Sequence, residues 1–190
     1  MRIVLGMTGA SGAIYGYALL RTLAERDVEL HIVLTRMAEQ VFKFECGVSK
    51  KQLKEFGKVW NNDNMFAPIA SGSFVTRGMV IIPCSMNSLG AIANGVGDTL
   101  LSRAASVQLK ERRRLILVPR ETPLHLIHLQ NMERLTLAGA QIMPASPGFY
   151  HRPTEIWELT DFMVARVLDA LAIEHDLGPQ WGNDAPPLED

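Results

Sequence analysis

The stretch Arg2–Gly16 reads RIVLGMTGASGAIYG, and it predicts a strand, a glycine-rich turn and the start of a helix. Its apolar run Ile3–Leu5 is typical of a strand that is buried on both faces. The segment Thr8–Gly12 contains only small residues, and apolar side chains then recur at helical spacing. Such a turn directs backbone N–H groups and the positive end of the helix at an anion. We therefore predict a phosphate cradle for a nucleotide-like ligand; the alternative is a tight turn that binds no ligand.

The spacing of the glycines indicates which kind of nucleotide would bind. They follow the pattern Gly6-x-x-Gly9-x-x-Gly12, which is not the G-x-G-x-x-G spacing of dinucleotide sites. A dinucleotide site also places an acidic residue at the end of the second strand, where it binds the ribose. Here the predicted second strand, Glu29–Leu34, is followed by Thr35. Both features favour a mononucleotide over NAD.

Composition and charge narrow the class of protein further. The chain has 190 residues, of which 47% are hydrophobic, and this suits one domain with a sizeable core. Its net charge of −1 provides no basic field for nucleic acid. No apolar run reaches the roughly 18 residues of a membrane span, and no signal-peptide pattern is present. Cys46 and Cys84 form no C-x-x-C pair, and the histidines lack metal-ligand spacing. We expect a cytoplasmic protein that uses no metal, membrane or nucleic acid.

Three later apolar runs repeat the pattern of the first strand, because each is followed by polar or small residues and then usually by a helix. These runs are Met79–Ile82, Leu115–Val118 and Gln141–Met143. The alternation of strands and helices predicts an α/β fold with a three-layer, doubly wound parallel sheet. We expect residues 1–177 to form this single domain and residues 178–190 to form a tail that is partly ordered around Trp181.

Ligands of doubly wound sheets bind outside the carboxyl ends of the strands. The segments that follow the predicted strands carry glycines, hydroxyl groups, an arginine and a carboxylate. They are Thr8–Ser11, Thr35, Ser85–Ser88 and Arg120-Glu121. Because these segments should meet at one edge of the sheet, we predict that they line one crevice.

The second half of the chain contains three further predicted helices. Asp98 is expected to cap a helix that runs to about Lys110, Pro123–Ala138 forms the next one, and Thr160 starts the last long helix. In that last helix Arg166 falls among apolar positions. A buried arginine requires an anionic partner. Two interpretations remain open for this residue, a structural ion pair and a phosphate ligand.

Eight blocks of sequence, taken together and in order, resemble the UbiX-type flavin prenyltransferases over nearly the whole chain. The blocks are Gly6-Met-Thr-Gly-Ala-Ser-Gly12, Ala70-Ser-Gly-Ser-Phe74, Ile82-Pro-Cys-Ser-Met86, Leu101-Ser-Arg-Ala-Ala105, Leu109-Lys-Glu-Arg-Arg113, Leu117-Val-Pro-Arg-Glu-Thr-Pro123, Ile127-His-Leu-Gln-Asn-Met132 and Pro147-Gly-Phe-Tyr-His-Arg-Pro153. The resemblance implies a flavodoxin-like (Rossmann-like) fold and a homododecamer. It also implies a metal-independent transferase that joins a dimethylallyl group, from dimethylallyl phosphate or diphosphate, to N5 and C6 of reduced FMN. The product, prenylated FMN, would serve a UbiD-type decarboxylase.

The same resemblance implies roles for individual residues. Those expected to contact FMN are Gly9, Ala10, Ser11, Thr35, Ser85, Met86, Asn87, Ser88 and Arg120. Those expected to bind the prenyl phosphate, partly from neighbouring subunits, are Lys110, Arg120, Tyr150 and Arg166. Ser11, Glu45 and Glu121 are expected to move protons, and Lys110 to take part in catalysis. This chain has Asn64-Met65 where some members have a tryptophan, so Trp181 is expected to supply part of the aromatic wall of the prenyl pocket.

Two other functions remain open from the sequence. An FMN-dependent decarboxylase of cysteine-like substrates would share the fold, but it should offer a histidine base in the crevice. No histidine closely follows the glycine turn. A non-catalytic flavin carrier would need Ser11 and the glycines but no cations to bind a prenyl phosphate.

Overall fold

The computed structural model describes residues 1–178 and contains one sheet of six parallel strands in the order β3-β2-β1-β4-β5-β6. The strands are β1 Arg2–Met7, β2 Glu29–Leu34, β3 Lys58–Trp60, β4 Gly78–Cys84, β5 Arg114–Pro119 and β6 Gln141–Ile142. The helices are α1 Ala13–Ala24, α2 Arg36–Cys46, α3 Lys50–Leu53, α4 Met86–Ala93, α5 Leu100–Lys110, α6 Leu126–Leu137 and α7 Ile156–Leu171, with a 3-10 helix at Pro68–Ala70. The predicted doubly wound parallel sheet is confirmed. The predicted tail and Trp181 lie outside the described residues, apart from Gly178.

Helices cover both faces of the sheet and give the fold its three layers. On one face α1, α2, α3 and α7 pack against strand residues such as Leu5 and Ile32, which are fully buried. On the other face α4, α5 and α6 pack against strand residues such as Val4 and Val33, also fully buried. The two sets alternate along each strand because successive side chains of a strand point to opposite faces. The short apolar strands are therefore buried on both sides.

Helix α1 lies very close to the centre of the sheet, and a glycine makes this possible. A Cβ added to Gly16 would lie 2.5 Å from the carbonyl oxygen of Ile82 in β4 and 3.1 Å from Cζ of Phe42. The backbone of β4 cannot move aside for a methyl group without disturbing the sheet. This contact fixes α1 against β4, and so it sets the position of the α1 N-terminus at the carboxyl edge of the sheet.

Helices α5 and α6 begin later than the sequence pattern predicts, because their caps lie further along the chain. Thr99, and not Asp98, caps α5: its Oγ1 accepts a hydrogen bond from the N–H of Ser102 at 3.3 Å. Helix α6 starts after His125, whose Nδ1 accepts from the N–H of His128. The predicted start at Pro123 was therefore wrong by three residues.

Helix α7 starts earlier than predicted. The Glu158 carboxylate accepts hydrogen bonds from the N–H groups of Thr154 and Glu155 at 2.7 and 2.8 Å, which caps the helix at its true beginning. Thr160 is instead 1% exposed and donates its hydroxyl hydrogen to the carbonyl of Trp157 within the helix.

Among residues 1–178, no helix has the length and apolar character that crossing a membrane requires.

Candidate active site at the carboxyl edge of the sheet

The turns that follow β1 and β4 are joined by the buried side chain of Thr8. Its Oγ1 donates a hydrogen bond to the carbonyl of Pro83 at 2.8 Å and accepts one from the N–H of Ser85 at 2.7 Å. Thr8 is 0% exposed, so water does not compete with these bonds. The glycine turn and the start of α4 are therefore held side by side, as the prediction of one crevice requires.

The first turn of α1 is capped by a carboxylate from another helix. Gly12 precedes the helix with a φ of 99°, a left-handed conformation that favours glycine. The N–H groups of Gly12 and Ala13 donate to Oε2 of Glu45 at 2.9 and 2.8 Å. Glu45 lies near the end of α2, so a contact between two helices provides the anion that the turn attracts.

The ionisation of Glu45 is set by this contact. Burial by itself would raise the pKa of the carboxyl group, but hydrogen bonds from the Ser11 hydroxyl and from the Ala13 and Gly12 amides, with the nearby charge of Arg120, bring the pKa below its usual value. Arg120 also donates from Nε to the carbonyl oxygen of Ser11 at 3.0 Å. Three of the predicted site residues, Ser11, Glu45 and Arg120, therefore form one polar cluster.

At the same edge of the sheet, a cavity of about 170 Å³ lies where α2, α4 and α5 begin. Thr35 caps α2 by accepting from the N–H of Ala38 at 3.1 Å, and Ser85 caps α4 by accepting from the N–H of Ser88 at 3.3 Å. The polar residues that line the cavity include Thr35, Asn62, Asn87, Ser88, Thr99 and Ser102, together with Asp98. Three positive helix ends and several hydroxyl groups thus face one small space.

Protein atoms occupy part of the predicted phosphate cradle at the glycine turn, and a separate cavity lies at the same edge of the sheet. The Gly12 and Ala13 amides already bind Glu45, and a Cβ on Gly9 would overlap the side chain of Met37. Protein atoms therefore pack against the turn. Gly12 provides the left-handed backbone conformation, and Gly9 leaves room for the side chain of Met37. Helix N-termini and hydroxyls around the cavity are the groups that bind phosphate in proteins.

Sequence reasoning missed Asn62, which lies in the loop after β3. Its Oδ1 accepts from the N–H of Leu101 at 2.9 Å and its carbonyl accepts from the N–H of Leu100 at 2.7 Å, so it fixes the start of α5 beside the cavity. The sequence feature that could have indicated this role is the run Asn61-Asn62-Asp63-Asn64 at the start of a long loop. Asparagine side chains hydrogen-bond to backbone groups in such loops.

Other residues predicted to contact FMN or move protons also lie at this edge. Ala10 and Met86 are largely buried there, at 8% and 9% exposed. Glu121 is exposed next to Arg120, and its Oε1 accepts from the N–H of Thr122 at 3.0 Å.

Lys110, in contrast, lies at the opposite edge of the sheet from the crevice. It is the last residue of α5, and β5 begins only four residues later. Its Nζ is hydrogen-bonded to Glu111, and the pair rests on Gly72, where a Cβ would lie 2.8 Å from Cδ of Glu111 and from Nζ of Lys110. Within one chain, Lys110 is therefore separated from Ser11 and Arg120 by the length of the sheet.

Arg166 is not buried, which corrects the premise of the prediction. Its side chain is 58% exposed, and its Nη1 donates to Oδ2 of Asp169 at 2.7 Å. Arg77, which precedes β4, donates to the carbonyl oxygens of Leu171 and Ala172, so α7 ends at the edge where the strands begin. Arg166 is five residues before that end, or about 7.5 Å along the helix axis. It too lies away from the crevice of its own chain.

Tyr150 lies between β6 and α7, next to Phe162, with ring centroids 6.0 Å apart. Gly148 allows this contact, since a Cβ there would be 3.1 Å from the Tyr150 ring and 3.2 Å from the Phe162 ring. Of the residues predicted to bind the prenyl phosphate, Arg120 belongs to the polar cluster of the same chain.

Comparison with known proteins places these features in a family. The family profile described as Flavoprotein matches residues 1–168. The flavin prenyltransferase UbiX of Alkalihalophilus pseudofirmus is 47% identical, with 95% of this chain and 96% of that protein aligned. The flavin prenyltransferase UbiX of Pseudomonas aeruginosa is 46% identical, with 95% and 94% aligned.

Solved structures agree with this result. A dodecameric FMN-dependent UbiX-like decarboxylase from Escherichia coli O157:H7 superposes with a TM-score of 0.93 at 42% identity, over 96% of this chain and 100% of that one. AnUbiX (PadA1), solved in complex with FMN and dimethylallyl pyrophosphate, has a TM-score of 0.88 at 44% identity, over 94% and 98%. The cysteine decarboxylase TvaF, at 20% identity and a TM-score of 0.66, shares the fold.

Proposed function

The chain belongs to the Flavoprotein family, and within it to the UbiX-type flavin prenyltransferases; from this membership we propose that it transfers a dimethylallyl group to reduced FMN. The reaction joins the prenyl group to N5 and then to C6 of the flavin and releases phosphate, or pyrophosphate when the donor is a diphosphate. The observation that carries the proposal is the pairing of a Ser11–Glu45–Arg120 cluster with a phosphate-sized cavity at one edge of the sheet.

The residues present fit FMN. The cavity offers Thr35, Asn87 and Ser88 to the flavin phosphate, with the positive ends of α2 and α4 behind them. Ser11 and Arg120 lie at the same edge of the sheet and would bind the ring system. When bound, FMN supplies the nucleophilic nitrogen and carbon of the reaction, and the protein supplies orientation, charge and proton transfer.

The cluster provides the proton-transfer groups that ring closure needs. Glu45 accepts from the Gly12 and Ala13 amides, and the nearby Ser11 hydroxyl helps to lower the pKa of its carboxyl group, so Glu45 is an ionised proton acceptor at this edge. Glu121 is a second carboxylate at the same edge. Arg120 is a cation next to both and would stabilise the negative charge that develops on the departing phosphate.

The remaining phosphate ligands would come from neighbouring subunits. Lys110 and Arg166 lie towards the edge of the sheet where the strands begin, so they cannot reach the crevice of their own chain. We therefore propose that the protein works as a homo-oligomer in which one subunit completes the donor site of another. Its similarity to a dodecameric relative supports this assembly. The product would be passed to a UbiD-type decarboxylase.

A cysteine-type decarboxylase is the nearest rival function. The cysteine decarboxylase TvaF shares the fold at 20% identity, whereas the flavin prenyltransferase relatives are 46% and 47% identical to this chain. We also propose a cytoplasmic location, because the two cysteines are unpaired and far apart in sequence.

Mass spectrometry of the flavin tests the proposed function. Purified protein is incubated anaerobically with reduced FMN and either dimethylallyl monophosphate or dimethylallyl diphosphate. We expect the flavin to gain one five-carbon unit with at least one of the donors. An unmodified flavin with both donors, from protein that binds FMN, would contradict the transferase and favour the flavin carrier. The Arg120→Ala variant is the control, since it should lose most of the product.

A further inference from the structure

Arg166 belongs to a small network near the end of α7. Asp169 accepts a hydrogen bond from Nη1 of Arg166 on Oδ2 at 2.7 Å, and its other oxygen, Oδ1, is 3.1 Å from Nε2 of His175. His175 is held in turn, because its Nδ1 accepts from the N–H of Leu177 at 3.2 Å. Within residues 1–178, Arg166 makes no other hydrogen bond or ion pair.

The hydrogen bonds define which ring nitrogen of His175 carries the proton in the neutral form. Because Nδ1 of His175 accepts from a backbone N–H, the ring proton of the neutral form is on Nε2, and that nitrogen donates to Asp169. The side chain of His175 is 10% exposed, whereas that of Asp169 is 50% exposed. The largely buried histidine therefore fixes the orientation of a carboxylate at the surface.

The orientation of Asp169 leaves the Nε–Nη2 edge of the Arg166 guanidinium available for a ligand. With Oδ1 bound to His175, Asp169 contacts Arg166 through Oδ2 alone and at Nη1 alone. The edge formed by Nε and Nη2 has no partner among the described residues, and this edge binds carboxylates and phosphates through two parallel hydrogen bonds. An exposed ion pair contributes little to stability, so stability alone does not account for a three-part network.

We propose that Asp169, fixed by His175, is a positioning residue that presents the Nε–Nη2 edge of Arg166 to the phosphate of the prenyl donor bound to a neighbouring subunit. This inference rests on the proposed function. The ion pair restricts the long arginine side chain before the donor arrives, so less rotamer freedom is lost on binding. Asp169 itself does not contact the donor.

The test measures binding of dimethylallyl monophosphate to the FMN-loaded oligomer by calorimetry, with the flavin oxidised so that no transfer occurs. We expect Asp169→Asn to weaken binding about 2- to 10-fold, the effect of leaving one long side chain unrestrained. His175→Phe should weaken it in the same direction, while His175→Gln, which keeps a donor, should recover part of the loss. Glu174→Gln is the matched control, because it removes a nearby exposed carboxylate that has no role in the network.

A double-mutant cycle separates positioning from a general structural effect. If Asp169 acts through Arg166, Asp169→Asn should add no further loss in an Arg166→Ala background. An additive loss, or donor binding by Asp169→Asn that equals or exceeds that of the wild type, would overturn the inference. Melting temperature and FMN affinity, measured on every variant, should stay at wild-type values.

Failure of the inference and failure of the proposed function have different signatures. If the wild type forms prenylated FMN and Arg166→Ala weakens donor binding while Asp169→Asn does not, only the positioning role is overturned. If Arg166→Ala binds the donor normally, both the role of Arg166 and the role of Asp169 are overturned. If the wild type forms no prenylated FMN with either donor, the proposed function itself is wrong.

Discussion

Glu45 joins the end of helix α2 to the first turn of α1. It caps the first turn of α1 through two amides, and the nearby Ser11 hydroxyl contributes to the lowering of its pKa. We predict that Glu45→Gln keeps FMN bound, since the phosphate cavity is formed by other residues, but lowers the rate of product formation about 100-fold or more by removing the proton acceptor. Single-turnover kinetics with reduced FMN would measure this rate.

The matched control is Glu39→Gln, a carboxylate on the same helix that pairs with Lys50 outside the crevice. It should leave the rate unchanged. A Glu45→Gln enzyme with the wild-type rate would show that Glu45 is only a helix cap and that Glu121 moves the proton.

The same variant reports on the charge of Glu45. Because the folded pKa of this group lies below the unfolded value, its ionised form stabilises the protein above the usual glutamate pKa, and this stability is lost as the pH falls through the lowered folded pKa. Urea midpoints measured from about pH 6 to pH 3 should therefore fall less in Glu45→Gln than in the wild type.

The position of helix α1 rests on its contact with β4. We predict that Gly16→Ala destabilises the protein by about 1–3 kcal/mol, although alanine is the better helix former, because the added methyl would lie 2.5 Å from the Ile82 carbonyl oxygen. Equilibrium unfolding in urea measures the change. FMN affinity should fall as well, since α1 carries the glycine turn.

Gly90 in α4 provides the comparison. A Cβ there would meet only the end of the Asn131 side chain, at 3.3 Å, which can move aside. Gly90→Ala should therefore be neutral or stabilise the protein by up to about 1 kcal/mol. If both substitutions had the same effect, close packing of α1 on the sheet would not be the reason for glycine at position 16.

Assembly is expected to complete the active site, because Lys110 and Arg120 lie at opposite edges of one sheet. We predict that Lys110→Ala and Arg120→Ala subunits, each inactive alone, regain activity when they are unfolded and reassembled together. With equal amounts and random mixing, about a quarter of the sites would have both side chains intact. Product formation before and after mixing is the measurement.

Mixing Arg120→Ala with Glu45→Gln is the control, because both residues belong to one crevice and every mixed site keeps a defect. It should show no recovery. Absence of recovery in the first mixture, with oligomers of normal size, would mean that Lys110 does not act across subunits.

The sequence alone determined the architecture and the place of the crevice. Apolar runs such as Ile3–Leu5 followed by helical periodicity predict buried parallel strands, and parallel strands bring their carboxyl ends to one edge. The resemblance of eight short sequence blocks indicated the family, because such a resemblance depends only on residue types and their order along the chain. Arg166 was not predicted correctly, because its apolar neighbours suggested burial, whereas the buried residues of α7, among them Thr160, Met163, Val164 and Val167, recur at helical spacing and exclude it.

Contacts between distant segments were decided by the folded structure. Gly12 and Glu45 are 33 residues apart, and no local pattern shows that this carboxylate, and not a ligand, caps α1. The same holds for Asn62 at the start of α5 and for the separation of Lys110 from Arg120. Secondary structure follows from neighbouring residues, whereas the partner of a hydrogen-bonding group depends on which elements the core packs together.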